Sequence, residues 1–356
     1  RCQAEYDGMV RFELAVRPRG QGKVAPLAFV VPIRAEHARR YLYYPMGARG
    51  VSTGVVGTRD GVVLASRTDP APAEVVQAFR QARAKKPDLN FEEFYRPRAA
   101  ELRRYAFYGL VDVNDMNRGL MWFCDNAAGW AQSPQTSAIE LVRQGQTVSL
   151  VLNLLAEAVE RPEGGPIVFA LLPHPARPLA PEYRLLERVS PEVDPKACSV
   201  FDAFRPWPMD PKAGGMKLFP AADPKAPDAG PSWAYAESCV PAMRAAKPTG
   251  YRTMYLSKAW FSCRAGAYDG WEWRSGESGA VSLTPWFVNY LCWEMNEWVG
   301  RGIWEAIYLD ECYEMPAQNL EAGFSVRLPD GSEQSGVTNF QFRQLMKRWR
   351  GLFHAH

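Results

Sequence analysis

Two adjacent carboxylates, Asp310 and Glu311, close a short apolar run in "EAIYLDECYEM", Glu305 to Met315. Like charges held close repel, and the carboxyl in the drier site keeps its proton to higher pH, so a charged group and an acid become available together. Glycoside hydrolysis needs that pair of roles. Two other readings stand beside it. Asp310 caps the next loop while Glu311 points into water, or the pair joins carbonyl oxygens around Mg²⁺ or Ca²⁺.

Aromatic placement favours sugar chemistry, because an indole stacks well on the C–H face of a pyranose. Seven of the twelve tryptophans lie between Trp260 and Trp304. Trp260, at a strand end, and Trp271 and Trp273, in the Gly-rich "AGAYDGWEWRSGESG", are candidate pocket walls. Trp286 and Trp298 belong instead to the apolar face of a helical segment and are expected in the core.

Other chemistries find little support. The four histidines (His37, His174, His354, His356) are too dispersed for a zinc triad or an HExxH motif. No GxSxG elbow, GxxxxGK[ST] loop or GxGxxG after a strand occurs. No metal and no cofactor is therefore expected. The glycines of "GARGVSTGVVGTRDG" suit hairpin turns. A formal net charge of +3, spread along 356 residues, leaves no electrostatic footprint for nucleic acid, and the basic "RQARAKK" reads as a solvated helix end. Seven cysteines without a CxxC pair argue against a zinc ribbon or a dense disulfide framework, and one or two disulfides stay open. No apolar run of about eighteen residues is present to span a membrane. The chain lacks an initiator Met and a signal peptide and stops inside a helical pattern, which suggests a fragment truncated at its C-terminus.

The elements that must position the carboxylates divide in two. Residues 1–180 read as a β-sandwich, with strands in "MVRFELAV", "LAFVVPI", "GVVLAS", "FYGLVDV", "GLMWFCD", "TVSLVLNLL" and "PIVFALL". A helical insertion at about 72–106 interrupts them. Residues 181–231 are a Pro-rich linker and irregular segment. Residues 232–356 alternate helix and strand, which predicts a parallel sheet and part of a (β/α)8 barrel. Within it "TPWFVNYLCWEMNEWVG" is a helix with Thr284 as N-cap and Pro285 at its first position. Asp310 ends the strand "AIYLDE", where the loops of parallel sheets gather active sites, and alternation puts Tyr308 on its side of the strand.

The stretch "GLMWFCDNAAGW", with "IELVRQGQTVSLVLNLL" and "GGPIVFALLPHPARPL", resembles the N-terminal sandwich of glycoside hydrolase family 123-like bacterial proteins. Downstream, "GIWEAIYLDECYEMPAQNLEAGFSVRLPDG" followed by "NFQFRQLMKRW" is similar to their barrel strand, Asp-containing turn, Asn and Gly-aromatic loop, and helix. The resemblance runs from about Asp7 to Trp349. It implies a β-N-acetylgalactosaminidase-like, substrate-assisted retaining hydrolase. Glu311 would be the general acid, and Asp310 would orient and polarise the substrate's 2-acetamido group. Trp260, Trp271, Trp273, Tyr308, Tyr313 and Asn319 would bind a glycan or glycoconjugate, in a secreted or periplasmic protein. A non-catalytic carbohydrate-binding protein of the same fold, or a glycosidase with another sugar specificity, is the alternative.

Overall fold

The structure, a computed structural model, describes residues 1–16, 23–45, 51–66, 81–82, 84–85, 107–133, 136–160, 165–175, 199–201, 240–241, 244, 252–257, 274–275, 280–281, 283–310, 317, 320, 322–328 and 333–356. The chain divides into two compact units, one of Arg1–Arg177 with Glu314–Val337, the other of Pro178–Tyr313 with Thr338–His356.

The first unit is built on two antiparallel sheets. Its larger sheet runs in the order β1 (Cys2–Ala4), β2 (Val10–Leu14), β11 (Ile167–His174), β8 (Gly119–Phe123), β7 (Tyr108–Asn114), β4 (Arg40–Pro45), β5 (Ser52–Val55). The smaller runs β3 (Leu27–Arg34), β10 (Thr147–Leu155), β9 (Ile139–Gln144), β6 (Gly61–Ala65). Strict alternation makes β10 a half-buried strand: Val148, Leu150, Leu152 and Leu154 are buried while Thr147, Ser149, Val151 and Asn153 are partly exposed. The sheets meet through Phe29 of β3, whose ring lies 5.3 Å from both Phe12 of β2 and Phe169 of β11 in edge-on contacts. Phe12 and Phe169 stack at 5.1 Å. Phe169 is fully buried at this junction. Phe169→Ala is therefore expected to destabilise the first unit by about 3–5 kcal/mol, from lost transfer energy and the cavity left behind, read as a shifted urea midpoint.

All seven strand segments expected before residue 180 contain strands, and β1, β4, β5 and β9 join them. Gln81, Ala82, Ala84 and Lys85 are helical inside the expected insertion, the rest of which lies outside the described residues.

The second unit corrects the expected barrel. Among the described residues its main sheet has three parallel strands, β12 (Ser199–Phe201), β13 (Arg252–Ser257) and β16 (Ala306–Asp310), and a separate two-residue ribbon pairs β14 (Arg274–Ser275) with β15 (Ala280–Val281). Two α-helices are described from end to end, α1 (Pro285–Gly300) and α2 (Asn339–Ala355). The described residues are mostly β, in two antiparallel sheets, and a (β/α)8 barrel, even in part, is not shown. Strand and helix alternation fixes local parallel pairing, whereas closure depends on strand number, tilt and shear together.

Local rules hold well around α1. Thr284 accepts from the Phe287 amide at 3.3 Å, and Pro285 occupies the first turn. At its far end Gly302 takes a left-handed φ of 65°, and the Ile303 amide reaches back to the Trp298 carbonyl at 3.1 Å, a Schellman-type stop that feeds the chain into β16. Phe287, Leu291, Met295 and Trp298 are buried with Leu345 and Trp349 of α2. Trp286 is 72 % exposed, contrary to its expected place in the core. Adjacent helical residues point about 100° apart, and the buried face centres on Phe287 rather than on its neighbour.

Candidate active site

Asp310 is the last residue of β16, opposite Ser257, which ends β13. Both therefore stand at the carboxyl end of the parallel sheet. Ile307 and Leu309 pack on the helix core of the second unit, and Tyr308, paired with Tyr255, and Asp310 take the alternate positions of the strand. Glu311, Trp260, Trp271, Trp273, Tyr313 and Asn319 lie outside the described residues.

The loop that follows the carboxylates has an unexpected second half. Residues Glu314–Val337 belong to the first unit. Ala317 and Gly336 exchange backbone hydrogen bonds at 2.7 and 3.0 Å, and between them β17 (Val326–Arg327) pairs with β18 (Glu333–Gln334). This segment docks on the loop after β8. Val337 donates to the Asp125 carbonyl at 2.7 Å, the Asn126 side chain donates to the Gly323 carbonyl at 2.7 Å, and Gln132 donates to Gln334 at 3.3 Å. Phe324 is buried, and Gly323 turns at φ 74°. The Gly-aromatic step of the sequence thus anchors the segment to the "CDNAAGW" loop of the first unit.

Sequence spacing also hid two histidine–aspartate pairs, 62 and 78 residues apart along the chain. His174 Nε2 lies 2.7 Å from Asp112 Oδ1, and the Asn114 side-chain Nδ2 donates to Asp112 Oδ2 at 3.1 Å. Asp112 is buried, so both of its oxygens need such partners. Gly119 makes room for the imidazole, since a Cβ there would collide with the ring. His37 Nδ1 lies 2.8 Å from Asp115 Oδ2, and Asp115 Oδ1 accepts from the amides of Asn117 and Arg118, both at 2.8 Å.

The hydrogen bond from His37, then those from the Arg118 and Asn117 amides, hold the Asp115 carboxyl well below the usual carboxylate range. Its folded pKa is depressed, so its contribution to stability is complete above the unfolded value of about 4 and fades as pH falls toward the folded one. Asp115→Asn is expected to lower Tm at pH 7, with the gap to wild type narrowing on acidification below about pH 4. A gap constant down to pH 2 would show that the carboxylate charge is irrelevant to the turn.

Among the described residues, no group of three or more His, Cys, Asp or Glu is placed to hold a metal ion. Cys2, Cys124 and Cys292 are free thiols, and burial raises those of Cys124 and Cys292. No helix among the described residues is long and apolar enough to cross a membrane. No family model matches the chain, and no curated protein is similar to it.

Proposed function

We propose that the protein is a glycoside hydrolase acting on an N-acetylhexosaminide, with Asp310 and Glu311 as its reacting pair. The observation that carries the reading is the position of Asp310, last in a strand of a parallel sheet, with Glu311 next in the chain. Ligands of open parallel sheets bind outside the carboxyl ends of the strands, where the strand holds one end of a side chain firmly and the following loop stays adaptable.

In this reading Asp310 accepts a hydrogen bond from the N–H of the substrate's 2-acetamido group. That polarises the amide, whose carbonyl oxygen attacks the anomeric carbon and expels the aglycone. Glu311 gives its proton to the departing oxygen, and water opens the cyclic intermediate with Glu311 returning as base. The nucleophile belongs to the substrate, which is why one acid and one polarising carboxylate suffice. The tryptophans of residues 260–273 supply stacking surface for the sugar ring.

The test compares two aryl glycosides. The protein should release chromophore from an aryl N-acetyl-β-galactosaminide and not from the matching β-galactoside, which has no acetamido oxygen. Equal release from both would remove substrate assistance, and release from neither, across a panel of N-acetylhexosaminides, would remove the hydrolase.

A further inference from the structure

The solvent side of α1 carries an ordered pattern. Trp286 is 72 % exposed and Trp293 is 54 % exposed. Seven residues apart, they stand on one side of the helix, two turns or about 10.5 Å from each other. Between them Asn289, exposed, accepts from Arg348 Nη1 of α2 at 2.6 Å. Three residues past Trp293, Asn296 Oδ1 lies 3.1 Å from His356 Nε2. The stripe reads indole, carboxamide, indole, carboxamide, and the Tyr290 ring flanks Trp293 at 5.8 Å.

These contacts, with Trp349 Nε1 donating to the Leu291 carbonyl at 3.3 Å, set α2 beside α1 and running the same way. Gln344, exposed and one turn before Arg348, extends the polar ledge toward the Trp286 end. The ledge carries the guanidinium of Arg348. α2 contains Arg343, Lys347, Arg348 and Arg350 and no acidic residue. Of the two carboxylates of α1, Glu294 is buried and Glu297 is bonded to Arg301 at 3.1 Å.

An apolar protein face laid on this stripe would strip water from Asn289 and Arg348 and return no hydrogen bonds. A linear sugar chain fits both halves of the pattern. Its C–H faces cover the indoles, its hydroxyls meet the carboxamides, and a carboxylate meets the guanidinium in a charge-assisted bond. The span between the indoles exceeds a single ring, which calls for an oligosaccharide. We propose that Trp286, Asn289, Trp293 and Arg348 form a binding strip for a linear anionic oligosaccharide of the polyuronate class. The choice of sugar as ligand rests on the proposed function; binding and hydrolysis are measured separately, so either fails alone.

The probes are a size-defined oligogalacturonate, a neutral chitooligosaccharide of equal length and an oligothymidylate, titrated by calorimetry into the full chain. The oligogalacturonate should bind most tightly, and Trp286→Ala and Trp293→Ala should each weaken it by about tenfold or more. Arg348→Gln should reduce the preference for the charged sugar over the neutral one and flatten its salt dependence. Because both tryptophans are exposed, the variants should keep the wild-type circular dichroism and Tm. Unchanged affinity in the tryptophan variants overturns the proposal, as does tighter binding of oligothymidylate. It also falls if no sugar binds, including where wild type sediments as a dimer that the tryptophan variants dissociate. Hydrolysis without strip binding leaves the proposed function standing, and strip binding without hydrolysis leaves the strip standing.

Discussion

Glu311→Gln is expected to lower kcat on an aryl N-acetyl-β-galactosaminide by about 10²- to 10⁴-fold when the leaving group is a weakly acidic phenol. A glutamine keeps the size of the side chain and can still hydrogen-bond, but it can neither give a proton to the leaving oxygen nor take one from the attacking water. A dinitrophenolate leaves without protonation, so on the dinitrophenyl glycoside the same variant should keep a kcat/KM much closer to wild type, while its kcat stays low because Glu311 is also the base that helps water open the cyclic intermediate. Asp310→Asn should behave differently. The carboxylate is asked to polarise the acetamido group before any bond to the aglycone breaks, and its loss is felt whatever the leaving group. Equal losses of kcat/KM on both substrates in Glu311→Gln would take that residue out of the acid's role. Wild-type rates in Asp310→Asn would take the strand end out of the chemistry altogether.

Gly336→Ala is expected to cost about 3 kcal/mol, at the upper end for overpacking, because the obstacle is backbone rather than an adaptable side chain. A Cβ at this position would lie far closer to the Phe324 and Asp125 carbonyl oxygens than van der Waals contact allows. It would also push apart the paired hydrogen bonds between Gly336 and Ala317 and the bond from Val337 to Asp125. A lower urea midpoint should be accompanied by faster amide exchange at Gly336 and Val337, which a general loss of stability elsewhere would not single out. The contrast is Gly351→Ala in α2, where an added Cβ meets nothing within 4 Å. A helix-interior glycine gains from that change, so this variant should be more stable by about 0.5–1 kcal/mol. Equal effects at the two glycines would deny the close backbone approach at Gly336.

Four residues after Asp310, at Glu314, begins a segment that belongs to the first unit and is fastened within it by Asn126, Asp125 and Gln132. The motif "GLMWFCDNAAGW" and the Gly-aromatic step near residue 323 look unrelated along the sequence. In space Asn126 donates to the carbonyl of Gly323 itself. Their roles are structural, which separates them from the residues asked to touch a sugar.

What the sequence determines by itself is what short-range physics controls. Alternating Val and Leu in "TVSLVLNLL" can bury only one face and so marks a strand. Thr284 and Pro285 mark the start of α1 because a hydroxyl acceptor and a ring-locked φ satisfy a first turn wherever the helix lies. The carboxylate at the end of β16 is legible for the same reason. Everything set by long-range pairing had to wait for the tertiary structure. Short, polar or Gly-containing strands such as Cys2–Ala4 and Ser52–Val55 acquire their pairing only from neighbours. His174 finds Asp112, and His37 finds Asp115, through sheet topology that no spacing encodes. Alternating strands and helices imply parallel pairing, but not how many strands join or whether they close, and among the described residues the main parallel sheet of the second unit has three. Trp286 shows the division within a single helix: its type says apolar, and only the seating of Phe287, Leu291 and Trp298 against α2 turns the neighbouring indole out into water.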